Sequence, residues 1–284
     1  MPPKRHLTAR RVRLGAELRK LREATGMTAK EAAGLLEADA VQMSQIESGT
    51  VGVSAKRVRR LAANYACTDE PLVEALVAMA TDRTRGWWED YRDVLPQAFL
   101  DGAEVEHHAA YLREVVIHYV PGLLQTADYA RSVFGYTNPG LSEEEVALRA
   151  EHRMQRRAVI ERDDPTPYET IVHEFGLRVH VSDRQASLTQ LRFILDKIEA
   201  RQVTVRVIPV EREHFAGAGA SMLYLGAPVH QLDTALRDAP TGARYIDEQP
   251  RLEQLRTLFR RVQSASLDPT ASRDFIHRLA KELR

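Results

Sequence analysis

A single cysteine, Cys67, stands among 284 residues, which excludes an internal disulfide framework and any cysteine-built zinc cluster. It follows the run Ala62-Ala63-Asn64-Tyr65-Ala66 and reads as a packed small hydrophobe rather than a nucleophile. Long hydrophobic stretches are missing as well. No segment approaches the roughly 20 apolar residues of a membrane span. Met1 to His6 has no apolar signal core, so a cytoplasmic location without membrane contact is expected. Catalytic signatures are also missing: there is no G-x-S-x-G and no P-loop, and Gly217-Ala218-Gly219 is too short a glycine signal for phosphate binding. His107 and His108 are adjacent and cannot chelate from one helix face, while His118, His173, His180, His214 and His230 follow no metal-ligand spacing. A non-enzymatic protein without metal or cofactor is expected.

Net charge is absent too, with 40 Lys and Arg against 40 Asp and Glu, but the average hides an asymmetry. Residues 1–62 hold thirteen basic and six acidic residues, and residues 69–114 hold four basic and eleven acidic. A basic head before an acidic neck suits a chain that meets a polyanion at one end. The length implies two domains.

What is present is a succession of helix signals. Leu14, Leu18 and Leu21 form one apolar stripe flanked by Arg13, Arg19, Lys20 and Arg22, and Gly26 follows as a left-handed cap. Thr28-Ala29-Lys30-Glu31 reads as a capping box, opening a short helix with Ala32, Ala33, Leu35 and Leu36. Asp39-Ala40-Val41-Gln42 reads as a second box of the same kind, opening a helix with Met43 and Ile46 that stops at Ser48-Gly49. Between them Glu37-Ala38 must make a tight turn, and small Ala32 and Ala33 permit close helix crossing. Further helices are expected over about 54–65 and 69–81, the second with Pro71 in its first turn.

Met27, Thr28, Glu31, Ala33, Asp39, Met43, Ser44, Ile46, Glu47 and Gly49 together resemble the XRE family, the lambda/Cro-like repressors. The family pattern is L-T-x-x-E-x-A, a turn, then S-x-x-x-I-S-x-I-E-x-G. The resemblance implies an all-α, five-helix, lambda-repressor-like DNA-binding domain over 1–82, with residues 39–48 as the recognition helix in the major groove. Its outward residues would be Ala40, Val41, Gln42, Ser44 and Gln45. Gln42 and Gln45 can pair with adenine, Ala40 and Val41 can touch a thymine methyl, and no arginine is offered to guanine, so A·T-biased reading is expected. Phosphate contacts are expected from Thr28, Lys30, Lys56 and Arg57, with an arm from Lys4-Arg5 to Arg10, Arg11 and Arg13 tracking the groove. The family also implies an Arg22–Glu47 ion pair behind the recognition helix. Two departures stand out: the turn lacks the usual glycine, and Ala29 occupies a DNA-facing position where relatives often carry glutamine.

From about residue 82 the texture changes, with a linker at 81–86 and then Trp87-Trp88-Glu89-Asp90-Tyr91. Those aromatics could form a ligand cage or anchor a core; adjacent tryptophans cannot share one helix face, which favours the core. A helix at 97–113, a strand at 114–120, a helix from Ala127 and a long basic helix from the Ser142–Glu145 capping box to about Arg162 are expected. Strands then follow at 168–173, 203–208, 220–225 and 229–234, with helices from Asp183 to about Ala200, at 249–264 and at 269–283. This is an α+β domain over 83–284. Val120-Pro121-Gly122-Leu123-Leu124-Gln125-Thr126 followed by Ala127-Asp128-Tyr129-Ala130 is similar to a segment of actinomycete regulators of the WhiJ type. That resemblance implies a regulatory and oligomerisation domain of unsettled function, sensing a ligand or a small partner protein. The expected protein is a homodimeric transcriptional regulator on double-stranded, palindromic operator DNA. The alternative is an antitoxin-like protein that mainly binds a small partner and uses DNA binding for autoregulation.

Overall fold

The computed structural model describes residues 7–213, 215–237 and 244–283. The chain divides into two compact units, Met1–Val105 and Glu106–Arg284.

The first unit contains α1 (Ala9–Ala24), α2 (Ala29–Leu35), α3 (Ala40–Glu47), α4 (Ala55–Asn64) and α5 (Glu70–Thr81). Each begins at a short polar side chain that accepts a hydrogen bond from the first turn: Thr8, Thr28, Asp39, Ser54 and Asp69. Their apolar stripes converge on Leu18, Ala32, Met43, Ile46, Val58, Leu61 and Leu76, all buried. Burial of each large member contributes about 1.5–3 kcal/mol. Trp88 and Tyr91 are buried as well, so the second tryptophan of the pair is a core anchor. Residues 83–105 group with these helices: the Arg10 amide donates to Glu104 Oε2 at 3.2 Å.

The turn between α2 and α3 is made without glycine. Glu37 takes the left-handed conformation (φ 56°), the Ala38 amide bonds back to Ala33 O at 3.0 Å, and the Glu37 amide bonds to Gly34 O at 3.2 Å. These two bonds satisfy orphan helix carbonyls and offset a left-handed penalty of about 1 kcal/mol.

The second unit takes in the end of α6 (Gln97–His107) and is built on one six-stranded mixed sheet, ordered β3-β2-β1-β4-β5-β6. Strands β1 (Tyr111–Val116), β2 (Tyr168–His173) and β3 (Thr204–Ile208) run parallel. Between β1 and β2 lie α7 (Ala127–Thr137), α8 (Glu143–Arg156) and α9 (Ala158–Glu161); between β2 and β3 lie α10 (Glu174–Arg178) and α11 (Arg184–Glu199). Strands β4 (Met222–Gly226), β5 (Thr234–Arg237) and β6 (Arg244–Ile246) are antiparallel, followed by α12 (Gln249–Ala265) and α13 (Pro269–Glu282). One sheet face packs Val115, Ile171, Ile208 and Tyr224 against Leu252, Leu255, Phe259 and Val262 of α12. The alternate residues Leu112, Val172, Val205 and Val207 are buried on the other face.

Three expectations need correction. The helix expected over 97–113 ends at His107, and the strand expected from 114 begins at Tyr111 and ends at Val116. Two neighbours recruit the earlier residues: the Ala110 amide donates to Gly226 O at 2.7 Å and the Leu112 amide to Pro167 O at 2.8 Å. The long basic helix breaks at Arg157. There the Arg157 amide bonds to Met154 O and the Ile160 amide to Arg157 O, which tightens the turn. The Arg157 side chain lies over the Phe193 ring at 4.3 Å and donates to Gln125 O at 2.6 Å. Finally, 229–234 is mostly turn, with β5 only from Thr234 and an unanticipated β6. Asp233, fully buried, organises that turn by accepting from Tyr224 Oη (2.6 Å), the Ala227 amide (2.8 Å) and Arg256 Nη1 (3.1 Å).

The Val120–Thr126 segment is held as a structural element. Gln125 Nε2 donates to Val120 O at 2.8 Å, its Oε1 accepts from Arg153 at 2.7 Å, and Gln190 bonds Leu124 O and the Thr126 amide. The Gln125 carboxamide is therefore directed at its own unit at both ends.

Candidate nucleic-acid interface

The candidate site is the outward face of α3. Its inward face is Met43 and Ile46, at 0% and 2% exposure, and its outward face is Ala40, Val41, Ser44 and Gln45, all exposed. Val41 keeps 65% of its surface in solvent, so its methyl groups are open to contact. The second capping box is only half made: Asp39 accepts from the Gln42 amide at 2.7 Å, but the Gln42 side chain does not reach back. Gln42 is half-exposed, and its carboxamide donor and acceptor make no bond among the described residues. The first box is complete, with the Thr28 amide and hydroxyl both donating to Glu31 Oε2 at 2.7 Å. Those bonds hold the Glu31 carboxyl below its ordinary range and occupy the Thr28 side chain.

Cations sort into two groups. Arg13, Arg19, Lys20, Arg22, Arg59 and Arg60 each pair with a carboxylate of the same unit. Lys30, at the start of α2, and Lys56 and Arg57, at the start of α4, pair with no carboxylate among the described residues. Ala29 precedes Lys30 and is half-buried. Arg10, Arg11 and Arg13 lie within α1 rather than in an extended arm: Arg10 meets Asp82 at 3.7 Å, Arg11 donates to Thr50 O at 3.3 Å, and Arg13 to Glu17 at 2.7 Å. Their helical position follows from the Thr8 cap, which starts α1 before them. Lys4 and Arg5 fall outside the described residues.

Behind α3, Arg22 and Glu47 form a bidentate pair, Nε to Oε1 at 2.6 Å and Nη2 to Oε2 at 2.9 Å, with both side chains below one-tenth exposed. Arg22 Nη1 also donates to Met27 O at 2.6 Å, so one guanidinium ties α1, the start of α2 and the end of α3 together. Sequence reasoning missed Gly15. A Cβ there would lie 2.4 Å from Glu47 O and 2.6 Å from Ile46 O, so α1 and the end of α3 touch backbone to backbone. The available signal was a glycine inside a helix, which costs about 1 kcal/mol against alanine unless close approach requires it. Gly15→Ala is therefore expected to destabilise the protein by about 3 kcal/mol, at the upper end for overpacking, as read by urea denaturation. A loss below about 0.5 kcal/mol would mean that α1 and α3 separate without cost.

Residues 13–76 match a family model described as a helix-turn-helix domain, and residues 99–278 match one described as Domain of unknown function (DUF5753). The second match spans more than half of the sequence. The chain belongs to the DUF5753 family. No curated protein and no solved structure matches it. In this DUF5753 chain the helix-turn-helix match covers α2, α3 and α4 in full, and it supports DNA as a partner and a regulatory role. Among the described residues no helix is long and apolar enough to cross a membrane, and no three His, Cys, Asp or Glu side chains converge as a metal site.

Proposed function

We propose that this protein is a sequence-specific transcriptional regulator of double-stranded DNA, with an XRE, lambda-repressor-like domain made of α1–α5. The reading rests on one observation: an α3 face of exposed Ala40, Val41, Ser44 and Gln45 with half-exposed Gln42, in the unit where Lys30, Lys56 and Arg57 have no carboxylate partner among the described residues. In this reading α3 enters the major groove, Gln42 and Gln45 hydrogen-bond adenine edges, and Val41 covers a thymine methyl. Lys30, Lys56 and Arg57 meet phosphates, with Thr28 and Ala29 close to the backbone. The chain acts as a homodimer on a palindromic operator, and the second unit carries sensing and oligomerisation rather than catalysis.

The test is fluorescence anisotropy with the protein's own upstream DNA across a salt series. Gln42→Ala is expected to lose about 1–3 kcal/mol of discrimination at the base pair it reads, with non-specific binding unchanged. Lys56→Ala is expected to weaken all sequences alike and to reduce the log–log salt slope by about 1. If wild type bound that DNA no better than a scrambled duplex, or if Gln42→Ala left the preference intact, the assignment of α3 as the reading helix would fail.

A further inference from the structure

We propose that the first unit contains a binding site for a small apolar molecule ending in a carboxylate, distinct from the α3 face. A cavity of about 460 Å³ lies between α1, the loop after α3 and the end of α5. That volume falls in the range of small-molecule sites, roughly 300–1,000 Å³. Its floor is apolar, built from Leu14, Ile46, Val53 and Met79. Its charged groups are Arg11, Asp82 and Arg83. Asp82 is already engaged, by Arg10 at 3.7 Å and by the Thr84 amide at 2.8 Å. Arg83 is held in place by donating Nη1 to Ala80 O and to Asp82 O, each at 2.9 Å, and it pairs with no carboxylate among the described residues. An apolar floor with a fixed, carboxylate-free guanidinium at its edge suits an alkyl or aryl carboxylate: the body displaces water from the floor and the head group meets Arg83 in a charge-assisted pair.

The cavity has one property that the DNA-reading face lacks. Gly49 borders it at φ +75°, and a Cβ there would lie 2.7 Å from the backbone of Arg11. An occupant therefore touches α1, α5 and the end of α3 where the first and last of these meet without side chains between them.

The test uses the full chain, labelled with ¹³C-methyl methionine, and sodium octanoate as probe. Octanoate is expected to shift the Met79 methyl resonance saturably, with octylammonium causing no such shift. Met79→Leu identifies the resonance. Arg83→Gln removes two bonds from an exposed side chain at the end of α5, so its thermal melt is read to confirm that it folds, and it is expected to weaken octanoate about tenfold. The proposal is overturned if octanoate produces no saturable shift at Met79, if octylammonium acts equally, or if Arg83→Gln binds octanoate as wild type does. None of these outcomes depends on DNA binding, so they are separate from a failure of the α3 assignment.

Discussion

Glu47→Ala will destabilise the protein by about 3–5 kcal/mol, because it removes one partner of a buried ion pair and leaves the other charged. The Arg22 guanidinium, 7% exposed, would keep its bond to Met27 O at 2.6 Å and a 3.5 Å contact with Glu23, but neither replaces two bonds to one carboxylate. The loss falls on function as well as on stability, since Glu47 is the last residue of α3 and its side chain sets where that helix ends against α1. Chemical denaturation of the full chain measures it. The double replacement Arg22→Met with Glu47→Leu should recover most of the stability, because the cost lies in the uncompensated charge rather than in the missing attraction. A loss under 1 kcal/mol for Glu47→Ala would show that water reaches the freed guanidinium, contrary to the packed arrangement behind α3.

Acid will destabilise the second unit through His152. This residue is 1% exposed on α8, and burial, with Arg156 and Arg153 nearby, pushes its pKa down to about 3. In the unfolded chain a histidine takes up its proton near pH 6.5. Between pH 6.5 and 3 the unfolded state therefore binds a proton that the folded state refuses. Stability is unaffected by this group above about pH 6.5, falls as pH drops below it, and levels off near pH 3. The full loss is on the order of 5 kcal/mol. His152→Gln, which cannot be protonated, should flatten that limb of the stability–pH curve while leaving the neutral-pH slope unchanged. Equal acid limbs for wild type and variant would place the titrating group elsewhere.

Much of the first unit was legible because its decisive signals are local. Thr28 and Glu31 are one helical turn apart, so the complete capping box could be read from spacing, and the same holds for Ser142 and Glu145 at the start of α8. The alternation of Thr204 to Ile208 identified β3 for the same reason, since a strand half-buried on one face writes its period into five residues. Asp39 shows the limit of this kind of reading. Its forward bond to the Gln42 amide follows from spacing, whereas the direction of the Gln42 side chain does not.

Elsewhere the outcome depended on partners far along the chain. β1 starts at Tyr111 because Gly226 and Pro167 supply carbonyls to the Ala110 and Leu112 amides on either side of it, and neither is near it in sequence. The α8–α9 break at Arg157 is held through Gln125 and Phe193, and the turn before β5 through Arg256 of α12. Gly15 looked like a weak point of α1 until the carbonyls of Ile46 and Glu47 were seen against it.

The sequence by itself determined where α2 to α5 start and which α3 residues face inward, since caps and apolar periodicity act within one or two turns; the start of α1 at the Thr8 cap it did not. It also carried the charge asymmetry that points to a polyanion. Only the tertiary structure decided which cations remain unpaired. Whether Arg59 or Lys56 meets a carboxylate depends on Glu74 lying across from one and on no carboxylate among the described residues lying across from the other. Ion pairing is settled by distances between elements, and those are set by packing rather than by spacing along the chain.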